Sequence, residues 1–223
     1  MKKTQITRDS LLRDDVREWE TKYGDALDVL SPAQLLDHQQ TTLKHAPSPN
    51  AIWVFAYGSL LWNPAIKFVA QRVGTVYGYH RSFCLRTVIS RGTPQAPGLM
   101  LGLQRGGACR SPAYRIAPEA VDTKLTLLFR REMMTNVYRP KWVWLHDNGQ
   151  KIPVLAFVMN TRHSLYVGKL AELETVGIIA TAQGSLGPCA DYLYQTVESL
   201  KSLHIRDRRL EILAQKVKSV TRR

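Results

Sequence analysis

Metal-ligand spacing is what this sequence most plainly lacks. Its three cysteines, Cys84, Cys109 and Cys189, are far apart, with no CxxC or Cys/His grouping, and its six histidines form no HxH or HxxxH pair. No metal centre or disulfide framework is expected, and a reducing, cytoplasmic location fits an odd number of scattered thiols. No apolar run approaches the ~20 residues of a membrane span. The start, MKKTQITRDSLLRDD, is charged where a signal peptide needs an apolar stretch, so a soluble, unprocessed chain is expected. Nucleotide cradles are missing as well. Gly102, Gly106 and Gly107 do not form GxGxxG, no GxxxxGK[ST] occurs, and Ser59 stands outside the GxSxG spacing of a nucleophile elbow.

Acidic residues are absent from 51–118, which hold eight Lys/Arg, and the last 23 residues add eight more against Asp207 and Glu211. The formal charge of +13 is therefore concentrated downstream of the balanced first fifty residues. A basic surface of this kind serves solubility or accepts an anionic ligand. Nucleic acid is disfavoured, because neither an RNP-like aromatic pattern nor zinc-finger spacing accompanies the charge.

What is present is enough apolar residue, 44% of 223, to bury a full core without a staple. LLRDDVREWETKY reads as a helix ending at Gly24, and Ser31-Pro32 supplies an N-cap and first-turn proline for a second helix to about His45. After APSPN the period changes. Trp53, Phe55 and Tyr57 alternate as in a strand, followed by strand signals in RVGTVYGYHRSFCLR, GLMLGL and AYRIA. KWVWLH and KIPVLAFVM flank Asp147-Asn148-Gly149, a hairpin signal, and PEAVDTKLTLLFRREMMT reads as a helix. The tail from about Leu165 is mostly helical. Met133, Met134, Trp142 and Trp144 are expected in the core.

Two features carry possible chemistry. On a helical wheel Leu125, Leu128, Phe129 and Glu132 share one narrow face, with Lys124, Arg130 and Arg131 pointing elsewhere. A carboxylate on an apolar stripe is either paired with a cation or held for proton transfer at a raised pKa. The second feature is the turn Tyr57-Gly58-Ser59-Leu60, whose glycine allows consecutive backbone N–H groups to face a carboxylate or oxyanion. An ordinary glycine turn has the same sequence.

Together these segments resemble the glutathione-specific γ-glutamylcyclotransferases, the ChaC-like family. The resemblance rests on WVFAYGSLLWNPA, GYHRSFCLR, RGTPQAPG, AYR and LTLLFRREMMTNVYRPKW, which occur in the family's order across roughly 52–205. It implies an α+β fold, a small mixed β-barrel with surrounding helices, forming a catalytic domain over 51–223 with a helical tail; residues 1–50, outside the most specific matches, read as a helical extension. It also implies that Ala56, Tyr57, Gly58, Ser59, Leu60 and Leu61 bind the γ-glutamyl part of a substrate. The family's RExxxxxY pattern appears as Arg131-Glu132 and Tyr138, making Glu132 the catalytic acid/base and Tyr138 a binding residue. Departures from the pattern are Leu99 for arginine, Ser111-Pro112 for Gly-Val, Asn136 for glycine, and Ser185 and Cys189 for proline and asparagine in GSLGPCADYL.

The activity implied is cyclisation of glutathione to 5-oxoproline and cysteinylglycine, with no metal, nucleotide or redox cofactor; a monomer is expected. Two other readings stay open: a cyclotransferase for another γ-glutamyl amine or dipeptide, and a non-catalytic regulatory module associated with ion transport.

Overall fold

A computed structural model describes residues 27–221. The helix read in LLRDDVREWETKY lies outside the described residues. The second helix forms where expected, as α1 (Pro32–Lys44), and it opens with a reciprocal capping box. Ser31 Oγ accepts from the Gln34 N–H at 3.2 Å while Gln34 Oε1 accepts from the Ser31 N–H at 2.8 Å, satisfying two amides that a helix start leaves without partners.

The barrel begins with β1 (Trp53–Phe55), followed by β2 (Ala70–Thr87) and β3 (Gly98–Arg115). Helix α2 (Val121–Met133) then leads into the hairpin of β4 (Tyr138–Asp147) and β5 (Gln150–Met159). The strands close in the order β1-β3-β2-β4-β5, all neighbours antiparallel except the closing pair, where Val54 lies beside Leu155 of β5. Asn148 and Gly149 both have positive φ, 45° and 81°, as a two-residue turn of the expected kind requires.

GLMLGL and AYRIA, read as separate strands, are instead the two ends of the single strand β3, which pairs with β2 along most of its length. Gly106 and Gly107, at φ 97° and 70°, have the composition of a turn but bend a continuous ribbon, and β2 accommodates them with a register shift between Tyr77 and Tyr79.

Two apolar clusters follow from strand alternation. One consists of strand residues and Tyr57 just after β1, among them Phe55, Val76, Leu103, Leu145 and Val154; the other joins the barrel to its helices through Leu101, Leu125, Phe129, Phe157 and Leu193. Phe129 of α2 meets Phe157 of β5 edge to face, with ring centres 5.5 Å apart, so the apolar stripe of α2 lies against the barrel. Met133 and Met134 are buried and Trp142 is half-buried, but Trp144 is 52% exposed. The two-residue period of β4 turns Val143 and Leu145 inward and leaves Trp144 on the outside.

The tail supplies α3 (Glu172–Thr181), the short strands β6 (Gln183–Gly184) and β7 (Gly187–Pro188), α4 (Cys189–Ser202) and α5 (Arg208–Thr221). Residues 27–50 pack closely on the rest. Gln39 Nε2 donates to the Asp122 carbonyl of α2 at 3.2 Å, and Trp142 Nε1 donates to the Thr42 carbonyl at 3.0 Å. Among the described residues no helix is long and apolar enough to cross a membrane.

Candidate active site

Where β1 ends, Ala56 is held by neighbouring β3: its N–H donates to the Pro112 carbonyl at 3.0 Å, and its carbonyl accepts from Ser111 Oγ. The chain then turns through Gly58 into a short helical turn, Ser59–Leu61. A Cβ built on Gly58 would stand 2.7 Å from the Tyr192 hydroxyl, so any side chain there would displace that hydroxyl from its place beside the turn. The Ser111 side chain thus holds the backbone behind this turn rather than facing the opening in front of it, while the carbonyl at 112 is one that any residue would supply.

Tyr57, Gly58, Ser59 and Leu60 line a small recess together with Leu101, Glu132, Tyr138, Phe157 and Tyr192. Ser59, Glu132, Tyr138 and Tyr192 also border a larger cavity of about 410 Å³. The recess is therefore the inner end of a ligand-sized opening. Ala56 and Leu61, expected among the binding residues, do not border either space; both are buried behind the turn as packing residues.

Glu132 comes from the last turn of α2 with its side chain 13% exposed. Burial pushes its pKa above the ordinary carboxylate range, partly offset by Arg131. Glu132 Oε1 lies 3.0 Å from Arg131 Nε, an ion pair whose angle leaves this buried oxygen without a hydrogen bond among the described residues. Three tyrosine hydroxyls face the same region. Tyr57 donates to the Phe157 carbonyl at 2.7 Å and Tyr138 to the Leu101 carbonyl at 2.9 Å. Burial raises the pKa of Tyr57, Tyr138 and Tyr192, with the Glu132 charge adding to each shift, so all three remain protonated at neutral pH.

The wheel sets Arg131 off the apolar stripe but says nothing of its burial. Its side chain is 5% exposed, and it donates to Ser59 Oγ at 2.9 Å and to the Asn63 carbonyl. A long side chain can curl back around the helix, which a projection of Cβ directions does not register. Lys124, which the same projection also sets off the apolar stripe, is buried as well. Tyr192 carries no signal of its own in the sequence, although it lies in GSLGPCADYL; its place opposite Gly58 exists only because α4 folds back on the barrel. The cavity wall built by Leu85–Arg91 spans the end of GYHRSFCLR and the start of RGTPQAPG, but nothing in those segments marks it as a wall.

Three of the unusual positions acquire a structural account. Asn136 has φ 53°, the left-handed geometry that asparagine tolerates, at the end of α2, and its side chain donates to Asp28 at 2.6 Å. Leu99 and Cys189 are partners. The Leu99 N–H approaches Cys189 Sγ at 3.3 Å and the thiol donates to the Leu99 carbonyl at 3.1 Å, both groups being fully buried behind the cavity wall.

A family profile described as ChaC-like protein matches residues 52–220. The chain is 38% identical to a protein of Escherichia coli (strain K12) named glutathione-specific γ-glutamylcyclotransferase, over 96% of this chain and 93% of that one. It is 30% identical to the mouse protein named glutathione-specific γ-glutamylcyclotransferase 1, over 69% of this chain and 71% of its relative. A yeast crystal structure described as a γ-glutamyl cyclotransferase specific to glutathione superposes with a TM-score of 0.69 at 21% identity, covering 76% of this chain and 96% of that one. The closed barrel, the recess at the Tyr57–Leu60 turn and the matched profile lead to one conclusion: this chain belongs to the ChaC-like family.

Proposed function

We propose that this protein cleaves glutathione by cyclising its γ-glutamyl group, releasing 5-oxoproline and cysteinylglycine. The observation that carries the reading is Glu132, a carboxylate of raised pKa on the rim shared by the recess and the outer cavity. The substrate brings its own nucleophile. Its α-amine nitrogen bonds to the γ-carbonyl carbon, closing a five-membered ring, and the bond from that carbon to the cysteinyl nitrogen breaks. Glu132 accepts a proton from the attacking amine and returns one to the departing nitrogen, which leaves as a neutral amine. A raised pKa suits both halves of this cycle, because it makes the carboxylate a stronger base and brings its acid form nearer to neutral pH.

The turn and the tyrosines supply position. The first N–H groups of a helical turn have no acceptor inside it, and those at Gly58–Leu60 are suited to hold the substrate's carboxylate or the oxyanion. Arg131 keeps that turn and Glu132 in register through Ser59 and Asn63. Tyr57, Tyr138 and Tyr192 wall the recess, and the glutamyl chain is held folded against its mouth, a proximity effect.

One chain supplies both spaces, which supports activity as a monomer, and the reaction written above uses no cofactor. The three cysteines are all free and buried, which supports a reducing, cytoplasmic setting. The division into an extension before residue 51 and a catalytic domain after it belongs to the same proposal, with Leu27 on the cavity wall as a point of contact between them. Incubation of the purified protein with glutathione, and with a panel of other γ-glutamyl dipeptides, tests the reading by 5-oxoproline detection. Absence of 5-oxoproline from every substrate would overturn it; release from another dipeptide but not from glutathione would reassign the substrate alone.

A further inference from the structure

The outer cavity contains a cation that the cyclisation does not use. Arg91, in the loop between β2 and β3, is 6% exposed yet borders the cavity that also holds Glu132. Of the five N–H donors of its guanidinium, the Pro188 carbonyl takes one, at 3.1 Å. The group lies 5.9 Å from the centre of the Trp62 ring and forms no ion pair with a carboxylate among the described residues. Asp191 acts on it only at longer range. Trp62 lines the same wall, and its indole N–H is buried without an acceptor among the described residues. A desolvated cation without a full counter-charge is costly unless an anion arrives.

The loop that carries Arg91 is rigidly seated. A Cβ on Gly92 would meet the Gly98 nitrogen at 2.1 Å, and one on Gly184 would meet the Gly92 nitrogen and the Ser90 carbonyl oxygen at 2.5 Å each. Backbone therefore packs on backbone, tied by the Leu186 N–H to the Ser90 carbonyl at 2.8 Å. These close approaches place the guanidinium before any ligand enters.

We propose that Arg91 is the anchor for the carboxylate at the far end of the substrate, so that the site selects γ-glutamyl peptides with a free C-terminal carboxylate over their amides. The inference rests on the function proposed above. The glutamyl end lies in the cavity against the mouth of the recess, beside Glu132, and the peptide tail runs outward to a planar fork suited to bidentate carboxylate recognition.

The test compares 5-oxoproline release from glutathione and from glutathione amidated at its glycine, for the unmodified protein, Arg91→Lys and Arg91→Met, with thermal melts of each. The unmodified protein is expected to favour the acid roughly 10- to 100-fold in kcat/KM, mostly through KM, as for a charge-assisted hydrogen-bonded pair. Arg91→Met should bring the acid-to-amide ratio close to one, and Arg91→Lys should leave an intermediate ratio. Equal use of acid and amide by the unmodified protein overturns the anchor whether or not the variants fold. A folded Arg91→Met that keeps the full preference overturns it too. No release from either substrate by the unmodified protein refutes the proposed activity, and the anchor with it.

Discussion

Glu132→Gln separates proton transfer from structure, because it keeps size and hydrogen-bonding capacity while removing the ability to take up and return a proton. We expect kcat for glutathione to fall by about 10²- to 10⁴-fold with binding retained. The stability effect has a definite sign. Burial raises the folded-state pKa of Glu132 above its unfolded value, so the contribution of this group is most favourable below the unfolded pKa and is lost as pH rises through the folded one. The glutamine variant should therefore gain in melting temperature relative to the unmodified protein between pH 4 and pH 7. If the Arg131 ion pair dominated instead, the variant would lose ground over that range, and near-normal turnover would remove Glu132 from the chemistry. Gly58→Ala probes the other side of the recess. Its methyl group would lie 2.7 Å from the Tyr192 hydroxyl, which must move. A loss in kcat/KM of roughly 10-fold or more is expected, since misplacing positioning groups by even 1 Å is costly; steady-state kinetics on a variant with a native-like melt would show it.

At the scale of elements, the β4–β5 hairpin and the turn after β1 behave differently under substitution. Gly149 sits at φ 81° with nothing within 4 Å of where a Cβ would stand, so Gly149→Ala suffers backbone strain without a clash. It should cost about 1 kcal/mol in urea unfolding and leave turnover unchanged, because the hairpin tip borders neither the recess nor the cavity. This hairpin and α1 are legible in the sequence, since both depend on local chemistry: Asn-Gly at one, Ser31-Pro32 and Gln34 at the other. The long strand β3 is not legible as one element. Its Gly106-Gly107 pair has turn composition, and only pairing with β2 shows that the ribbon continues through it. The same limit applies to Trp144, whose exposure depends on which face of β4 the barrel buries.

For the whole molecule, the charge of +13 has a kinetic consequence. Glutathione carries net negative charge, and Arg86, Arg91 and Arg131 all border the cavity. Raising NaCl from 0.05 to 0.5 M shortens the screening length and should reduce kcat/KM by roughly two- to fivefold, mainly through KM. Initial rates across that range with the glycine amide as control would register it, and a flat response would remove electrostatic attraction from the binding step. What the sequence determined by itself is whatever depends on neighbours along the chain: helix caps, the hairpin turn, the apolar stripe that singles out Glu132, and the motif order that resembles the ChaC-like family. The structure decided what depends on distant segments meeting. Closure of β1 against β5, with α2 and α4 packed outside, sets Tyr57, Glu132, Tyr138 and Tyr192 around one recess and turns Arg131 inward to Ser59. Arg91 has a cavity to face only because Gly184, in the tail, lies against the loop that carries it. Each of these contacts joins residues far apart in the chain, whose approach depends on how the packed barrel excludes water and on no local pattern.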